Sequence, residues 1–511
     1  MVHLPKFSFV YGLLLITFCF LMACQPAEEQ AEDTSDTLSP EFIRALTHKI
    51  DSTLQTKMEA EHLPGVSAVV VQNGKILYQK GFGVANIETN QKVKVDSTIF
   101  RIGSISKALT MFALTKLVDM GKLSYETPVR TYFTDIENPF SLQDTLRIKH
   151  ILTHTGGLDQ IGTGRQIREF DLSLEERKHK RPTIAEFLAD GNVRRIRPAG
   201  QHFTYDTYGS TLAGAIIERV TGLSYPEAMK MLVFEPLGMS LSSVEVLDEN
   251  RYLLASGHGY QEGNYVTTPY ELYTTLPASS IDASVSDMGK LLQALTSNGS
   301  NAHGQLFSAN MMQAIKSPQF QPHPGFVGMS HGLWEGNVLG LRPDGYNIRT
   351  LGHGGSMIGT TCNFNLTPEL NLGIFVAANR HPESGGGGVS VWQIFNTVFD
   401  HYQIDKAPLF EVPDPPMETD AGEYAGSYYN GIFCHTCSEE EFANGAWGRG
   451  GAVEIAAEGN LLVIGGDNYY MKEKDVFVGG DGREMIYFGR DTKGDIKFLV
   501  SSEDATSYER M

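Results

Sequence analysis

The stretch Phe100-Arg101-Ile102-Gly103-Ser104-Ile105-Ser106-Lys107-Ala108-Leu109 decides how the rest of this chain is read. Upstream of it lie strand-like alternation and turn signals. Downstream, Ile105, Ala108, Leu109, Phe112, Ala113, Leu117 and Met120 recur at helical spacing. Met111, Leu114 and Val118 widen that stripe, so the helix reads as buried on most sides. Gly121 stands where a helix stop belongs. Ser104 thus opens a buried helix, where unpaired N–H groups and the positive dipole end favour developing negative charge. Lys107 lies three residues on, on the same face. A serine hydroxyl is a weak nucleophile until a base takes its proton, and a desolvated lysine of lowered pKa can be that base. Ser-x-x-Lys alone fits equally well an N-cap serine followed by a surface lysine. Other parts of the chain must choose.

At 511 residues the chain is too long for one ordinary domain, and 41% hydrophobic content supports a sizeable core. With 41 basic and 60 acidic side chains the formal net charge is −19. No basic domain or nucleic-acid motif stands out, which argues against nucleic-acid binding. Residues 1–23 read as a lipoprotein signal peptide: Lys6 gives a basic start and Phe7 to Phe20 an apolar run, too short for a comfortable transmembrane helix. Leu21-Met22-Ala23-Cys24 resembles the bacterial lipobox, after which Cys24 is acylated; the alternative is an ordinary cleaved signal with an incidental cysteine. Residues 24–39 form an acidic tether too poor in apolar residues to fold. The expected location is therefore the bacterial cell envelope, with a lipid anchor holding the protein to a membrane.

Of the five cysteines, Cys19 leaves with the signal and Cys24 takes the lipid. Outside the cytoplasm, Cys434-His435-Thr436-Cys437 fits a local disulfide, with half a zinc site as the alternative. Ser438 stands where a c-type haem would need histidine. Cys362 is alone and reads as a core residue.

Pro40 to about Ala60 is an amphipathic helix, and Val66–Val71, Asn73-Gly74 and Lys75–Gln79 form a hairpin pattern. In Leu152-Thr153-His154-Thr155-Gly156-Gly157-Leu158, His154 reads as a structural histidine beside a turn. Arg177-Lys178-His179-Lys180-Arg181 reads as a solvated helix face. Tyr205-Asp206-Thr207 leads into a helix through Val220, and Ser286 reads as the N-cap of another through Leu295. Gly328-Met329-Ser330-His331-Gly332 matches the G-x-S-x-G pattern, but a strand and turn follow it rather than a helix, so Ser330 is rejected as a nucleophile. Glycines around His353-Gly354-Gly355-Ser356 let a strand backbone approach a ligand closely. Thr361–Leu366 and Leu372–Ala378 form a buried hairpin, and Val389–His401 a closing helix. A Pro-rich linker (406–416) leads to six short strand patterns between Val453 and Val500, an antiparallel β domain over 417–511.

Ser104-x-x-Lys107, Tyr205-x-Thr207 and His353-Gly354-Gly355, in that order and with the 152–158 segment, resemble the serine β-lactamase-related family of class C β-lactamases, DD-peptidases, D-aminopeptidases and esterases. The resemblance covers about Pro40 to Ile404 and defines a hydrolase domain over 40–405; the tail resembles a lipocalin-like β domain. It implies an α+β fold: an antiparallel sheet flanked by helices, with a mostly helical insert, followed by the small all-β domain. It further implies that Ser104 attacks a carbonyl, Lys107 accepts its proton and Tyr205 shuttles protons. The Ser104 and Ser356 N–H groups would make the oxyanion hole, with Thr207, His353, Gly354 and Gly355 at the substrate. No metal or cofactor is implied.

Two departures shape the expected activity. Thr207 stands where the family usually has an amide-binding asparagine, and His353 where lactamases and DD-peptidases tend to have lysine. The expectation is a serine hydrolase acting through an acyl-enzyme on an ester, a D-amino-acid peptide or a related amide, and poor on β-lactams. The alternative is a catalytically idle binding or sensing lipoprotein of the same fold. The tail is expected to fold separately and supply no catalytic side chain, so that a chain ending near Pro413 keeps most of its activity.

Overall fold

The computed structural model describes residues 38–510 apart from 136–144, 160–165, 169–172, 174, 178–182, 190–193, 202, 325, 336–345, 382–392, 407–409, 432–451 and 503–506. Cys24, Cys434 and Cys437 lie outside the described residues, as does the start of the expected closing helix.

A seven-stranded antiparallel sheet forms the centre, ordered Trp334–Glu335, Leu351–Met357, Thr360–Thr367, Leu372–Ala378, Gly65–Gln72, Lys75–Asn86 and Gln91–Lys92. The strand Gly65–Gln72 shows why both faces must be covered. Val66, Ala68 and Val70 join one apolar cluster, and Val69 and Val71 another. Period-2 alternation between two cores gives a nearly continuous hydrophobic run instead of an apolar–polar alternation. Against the first face pack Leu46, Ile50 and Leu54 of the helix Pro40–Ala60, with Phe395, Val398 and Phe399 of the helix Gln393–His401. Against the second lie the helices Ile105–Asp119 and Val285–Leu295. The hairpin turn is as expected, Asn73 and Gly74 both having positive φ (48° and 73°).

The helix Ile105–Asp119 is buried from Ile105 to Leu117 at every position but Lys116. A helix apolar all round belongs inside. Its lead-in, Ile99–Arg101, pairs with Ile281–Ser284, Arg101 opposite Asp282. Two sequence expectations need correction. Ser284, not Ser286, caps the helix Val285–Leu295, accepting from Asp287 N. Arg177 is not on a solvated face: it is buried, donates to Val246 O (3.0 Å) and pairs with Asp248, which leaves the backbone carbonyl and the charge satisfied together.

Beyond the linker, eight antiparallel strands from Gly426 to Arg510 close into a barrel in simple up-and-down order. Six coincide with the strand patterns. Gly426–Asn430 and Ser507–Arg510 were not anticipated, and these two pair to close the barrel. Tyr424, Tyr428, Leu462, Met471, Phe477 and Phe488 fill its core. Among the described residues no helix is long and apolar enough to cross a membrane.

The sheet and the lead-in to the helix Ile105–Asp119 meet at a glycine. A Cβ on Gly355 would stand 1.9 Å from Ile102 O, so any side chain there pushes the strand Leu351–Met357 off the Ile102–Gly103 backbone. Gly355→Ala is expected to lower hydrolytic turnover at least about tenfold, on the order of 1.4 kcal/mol, with the circular dichroism spectrum of the wild type retained; unchanged turnover would show that this approach is not required.

Candidate active site

Four segments converge on Ser104. Gly103, at φ 53°, turns the chain out of the Ile99–Arg101 strand, and Ser104 follows with helical φ and ψ (−62°, −12°) and no side-chain capping bond. Its hydroxyl is therefore not used up in holding the helix. Lys107, one turn on, is 2% exposed, and its Nζ donates to Ser104 Oγ (3.2 Å) and to Ala278 O (3.1 Å). That carbonyl sits in the short helix Leu276–Ser279. An N-cap serine with a surface lysine is thus excluded. Burial brings the Lys107 ammonium down from the usual lysine range to about 7, with the Asp206 carboxylate opposing part of the effect.

Tyr205 comes from the segment before the helix Thr207–Thr221. Its ring lies under Lys107, with Nζ 4.8 Å from the centroid. Its hydroxyl is directed to Ser104, but no regular hydrogen bond holds it. Burial pushes its pKa well above the ordinary tyrosine range, and only the Ser104 hydroxyl works against that. Asp206, the N-cap of the helix, accepts from Gly209 N and stands 3.5 Å from His154 Nδ1. Sequence reasoning passed over Asp206. An aspartate directly before a helix is a capping signal, and its second role as the counter-charge of Lys107 depends on folding.

The strand Leu351–Met357 supplies the fourth segment. On this strand Trp334–Glu335 reaches Gly352 and Leu351 but not beyond, so among the described residues the edge from His353 onward has no strand beyond it. Ser356 is exposed, and its backbone N would lie 2.8 Å from a Cβ placed on Gly103. Ser104 and Ser356 backbones are therefore neighbours. Gly354 and Gly355 are buried in the strand, opposite Asn363 and Cys362. His353 is fully buried, stacked on Trp334 at 4.3 Å and close to Tyr205 at 6.1 Å, with Nδ1 against Gly354 O. Burial, and the charge of Lys107, hold it well below the usual histidine pKa. Thr207 is the first residue of its helix and is 1% exposed.

Two other readings meet the structure here. His154, at φ 51°, is buried behind Tyr205, its ring 5.3 Å away, and its Nδ1 accepts from Asp206 N (3.3 Å). Ser330 is buried, and its hydroxyl donates to Leu333 O in a turn that enters the strand Trp334–Glu335. A strand, not a helix, follows it directly. Cys362 is a free, buried thiol in the sheet core. Among the described residues no cluster of three or more His, Cys, Asp or Glu side chains is placed to hold a metal.

A buried amine thus touches a serine at the start of a buried helix, with a tyrosine ring against the amine and a glycine-lined strand edge beside the serine, all on a helix-flanked antiparallel sheet. The chain belongs to the Beta-lactamase family, which matches residues 50–397. It is similar to "Esterase EstB" of Burkholderia gladioli, 29% identical over 217 residues, covering 38% of this chain and 50% of EstB. "Protein flp" of Staphylococcus aureus is 26% identical over 346 residues, covering 66% of this chain and 63% of that protein. The chain thus spans between half and two thirds of the length of these relatives. The crystal structure of SurE with D-Leu shares the fold at TM-score 0.60, with 18% identity over 93% of this chain and all of that one.

Asp206 offers a direct test of the electrostatics. It favours the charged form of Lys107. Replacing it by asparagine keeps the cap but removes the charge, so Lys107 should lose its proton at lower pH. The acid limb of kcat/KM for Asp206→Asn is expected to move to lower pH than in the wild type. A limb that stays or moves upward would show that Asp206 does not set the Lys107 protonation.

Proposed function

We propose that the protein is a serine hydrolase that forms an acyl-enzyme on Ser104 and acts on esters, D-amino-acid peptides or related amides. The observation that carries this is Lys107: buried, 3.2 Å from Ser104 Oγ, with a pKa of about 7. Near neutrality a large fraction of it is neutral amine, and the same contact then runs in reverse, Ser104 O–H donating to Nζ. In the first step the Ser104 oxygen bonds to the substrate carbonyl carbon while its proton passes to Lys107. The resulting oxyanion lies between the Ser104 and Ser356 N–H groups, each such donor being worth about 3–4 kcal/mol in comparable sites. The bond to the leaving group then breaks as Tyr205, relayed through Lys107, hands over a proton. Water, deprotonated by the same pair, attacks the ester and frees Ser104.

Poor β-lactam turnover follows from the other two positions. A bound β-lactam needs its carboxylate paired and its side-chain amide held. His353 is buried, neutral and stacked on Trp334, and Thr207 lacks the donor–acceptor pair of an amide. Losing a hydrogen bond to a charged group costs about 1.5–3 kcal/mol. The relatives' names fit this reading: one is an esterase, and D-Leu is named with a protein of the same fold.

The test is kinetic. Ser104→Ala should abolish hydrolysis of p-nitrophenyl esters and labelling by a fluorophosphonate, and Lys107→Arg, which cannot act as a base, should cost about 10²–10⁴ in kcat/KM. The wild-type profile should rise with pH through about 7 and then level, because only the neutral amine accepts a proton. Nitrocefin should be hydrolysed at least about a hundredfold less efficiently than the ester. Labelling that survives in Ser104→Ala would overturn the nucleophile, and efficient nitrocefin turnover the selectivity.

We also propose the envelope location, with Cys24 diacylated and the enzyme tethered to a membrane. Two acyl chains suffice for stable anchoring. Cys24→Ser is expected to leave the protein unprocessed or released in the soluble fraction; membrane partitioning equal to the wild type would place the anchor elsewhere.

A further inference from the structure

The barrel is docked on the segment that carries Tyr205. Its last strand, Ser507–Arg510, reaches the catalytic domain with two side chains. Ser507 is fully buried, and its hydroxyl donates to Phe203 O (2.7 Å). Glu509 pairs with Arg197, itself 5% exposed and brought down to about 10 by burial. The two contacts fall on either side of one loop. Phe203 and Thr204 lead directly into Tyr205, and Thr204 N donates to His154 O (3.0 Å). Arg197 packs beneath the turn behind His154: a Cβ on Gly157 would stand 2.1 Å from Arg197 O. Close packing completes the contact. Gly431, whose N–H donates to Ser507 O, has Thr204 Cγ2 2.6 Å from where a Cβ would stand. Alongside, Val476, Val478 and Met485 of the barrel bury Phe326, and Tyr487 lies 5.0 Å from His323.

Tyr205 needs such support. Its hydroxyl faces Ser104 but makes no regular hydrogen bond, so its tip alone does not hold the ring. Position comes from Phe203, Met329 and Trp334 around it and from the backbone on which it is mounted. We infer that the terminal strand of the barrel is a positioning element for Tyr205, acting through Ser507 on the Phe203 carbonyl and through Glu509 on Arg197. This rests on the Ser–Lys–Tyr hydrolase reading. Ser507 touches no reacting atom and is a positioning residue, not a catalytic one. The contact also argues against the expectation that a chain ending near Pro413 would keep most of its activity, since removing the barrel uncovers Phe203, Arg197 and Phe326.

The experiment uses the full chain as wild type, Ser507→Ala, Ser507→Thr, Glu509→Gln and Ser104→Ala, with active sites titrated to completion by a fluorophosphonate so that kcat is counted per competent Ser104. Ser507→Ala is expected to lower kcat for a p-nitrophenyl ester about three- to tenfold, the worth of one neutral hydrogen bond, with KM within about twofold of the wild type. Ser507→Thr, which keeps the hydroxyl, should recover kcat, and Glu509→Gln should lower it in the same sense. A purely structural contact would reduce the titratable fraction and leave kcat per site unchanged. Wild-type kcat per site in both Ser507→Ala and Glu509→Gln overturns the inference; if Ser507→Ala fails to fold, Glu509→Gln alone decides. Activity or labelling retained in Ser104→Ala would instead overturn the hydrolase reading, whatever the barrel variants do.

Discussion

The site depends on keeping one amine dry. Lys107 sits in a helix buried on nearly every side, and its only described hydrogen-bond acceptors are a serine hydroxyl and a peptide carbonyl. Among the described residues no carboxylate pairs with it, and Asp206 acts on it through its charge. Lowering an ammonium from 10.5 to about 7 disfavours its charged form by on the order of 5 kcal/mol. The fold bears that cost. Between about pH 7 and 10.5 the unfolded chain holds this proton and the native one does not, so this group makes stability rise with pH across that window. What the cost sustains is an amine largely neutral near pH 7 within hydrogen-bond reach of a serine hydroxyl.

Around that amine the molecule is layered by polarity. Among the described residues the sheet leaves a strand edge uncovered beside Ser104, and Gly103 and Gly355 let the two backbones come closer than any side chain would allow. Behind Tyr205 lies an apolar and aromatic wall of Phe203, Trp334, His154 and His353, both histidines with Nε2 buried and unbonded among the described residues. Unpaired buried nitrogens are costly. The barrel packs against the back of that wall, where Ser507 donates to the Phe203 carbonyl.

Much of this was legible along the chain. The helix from Pro40 to Ala60, the Asn73-Gly74 hairpin and the Gly121 and Gly222 stops are local: a few adjacent residues settle the backbone through apolar spacing and positive φ. The three site motifs were legible for the same reason, since Ser104 and Lys107 share one turn of helix. Ser284 against Ser286 shows the limit, because two serines two residues apart can each cap and only the packed register chooses. Arg177 shows another: a run of charges looks solvated until a distant segment, Val246 to Asp248, supplies it with partners.

What the sequence determined by itself was most of the elements and the placing of Ser104 and Lys107 on one turn of helix, because periodicity, turn residues and motif spacing act within a few residues. Tertiary structure decided everything that requires residues far apart to meet. Burial of Lys107 needs Ala278, 171 positions away, and its charge balance needs Asp206. His353 is a buried ring held well below the usual histidine pKa because Trp334 and Tyr205 pack near it and Lys107 lies close. The barrel closes only through its first and last strands, and Ser507 meets Phe203 across 304 residues. Contacts at such separations leave no periodic trace in a chain, since the free energy that selects them comes from desolvation and close packing of surfaces that exist only after folding.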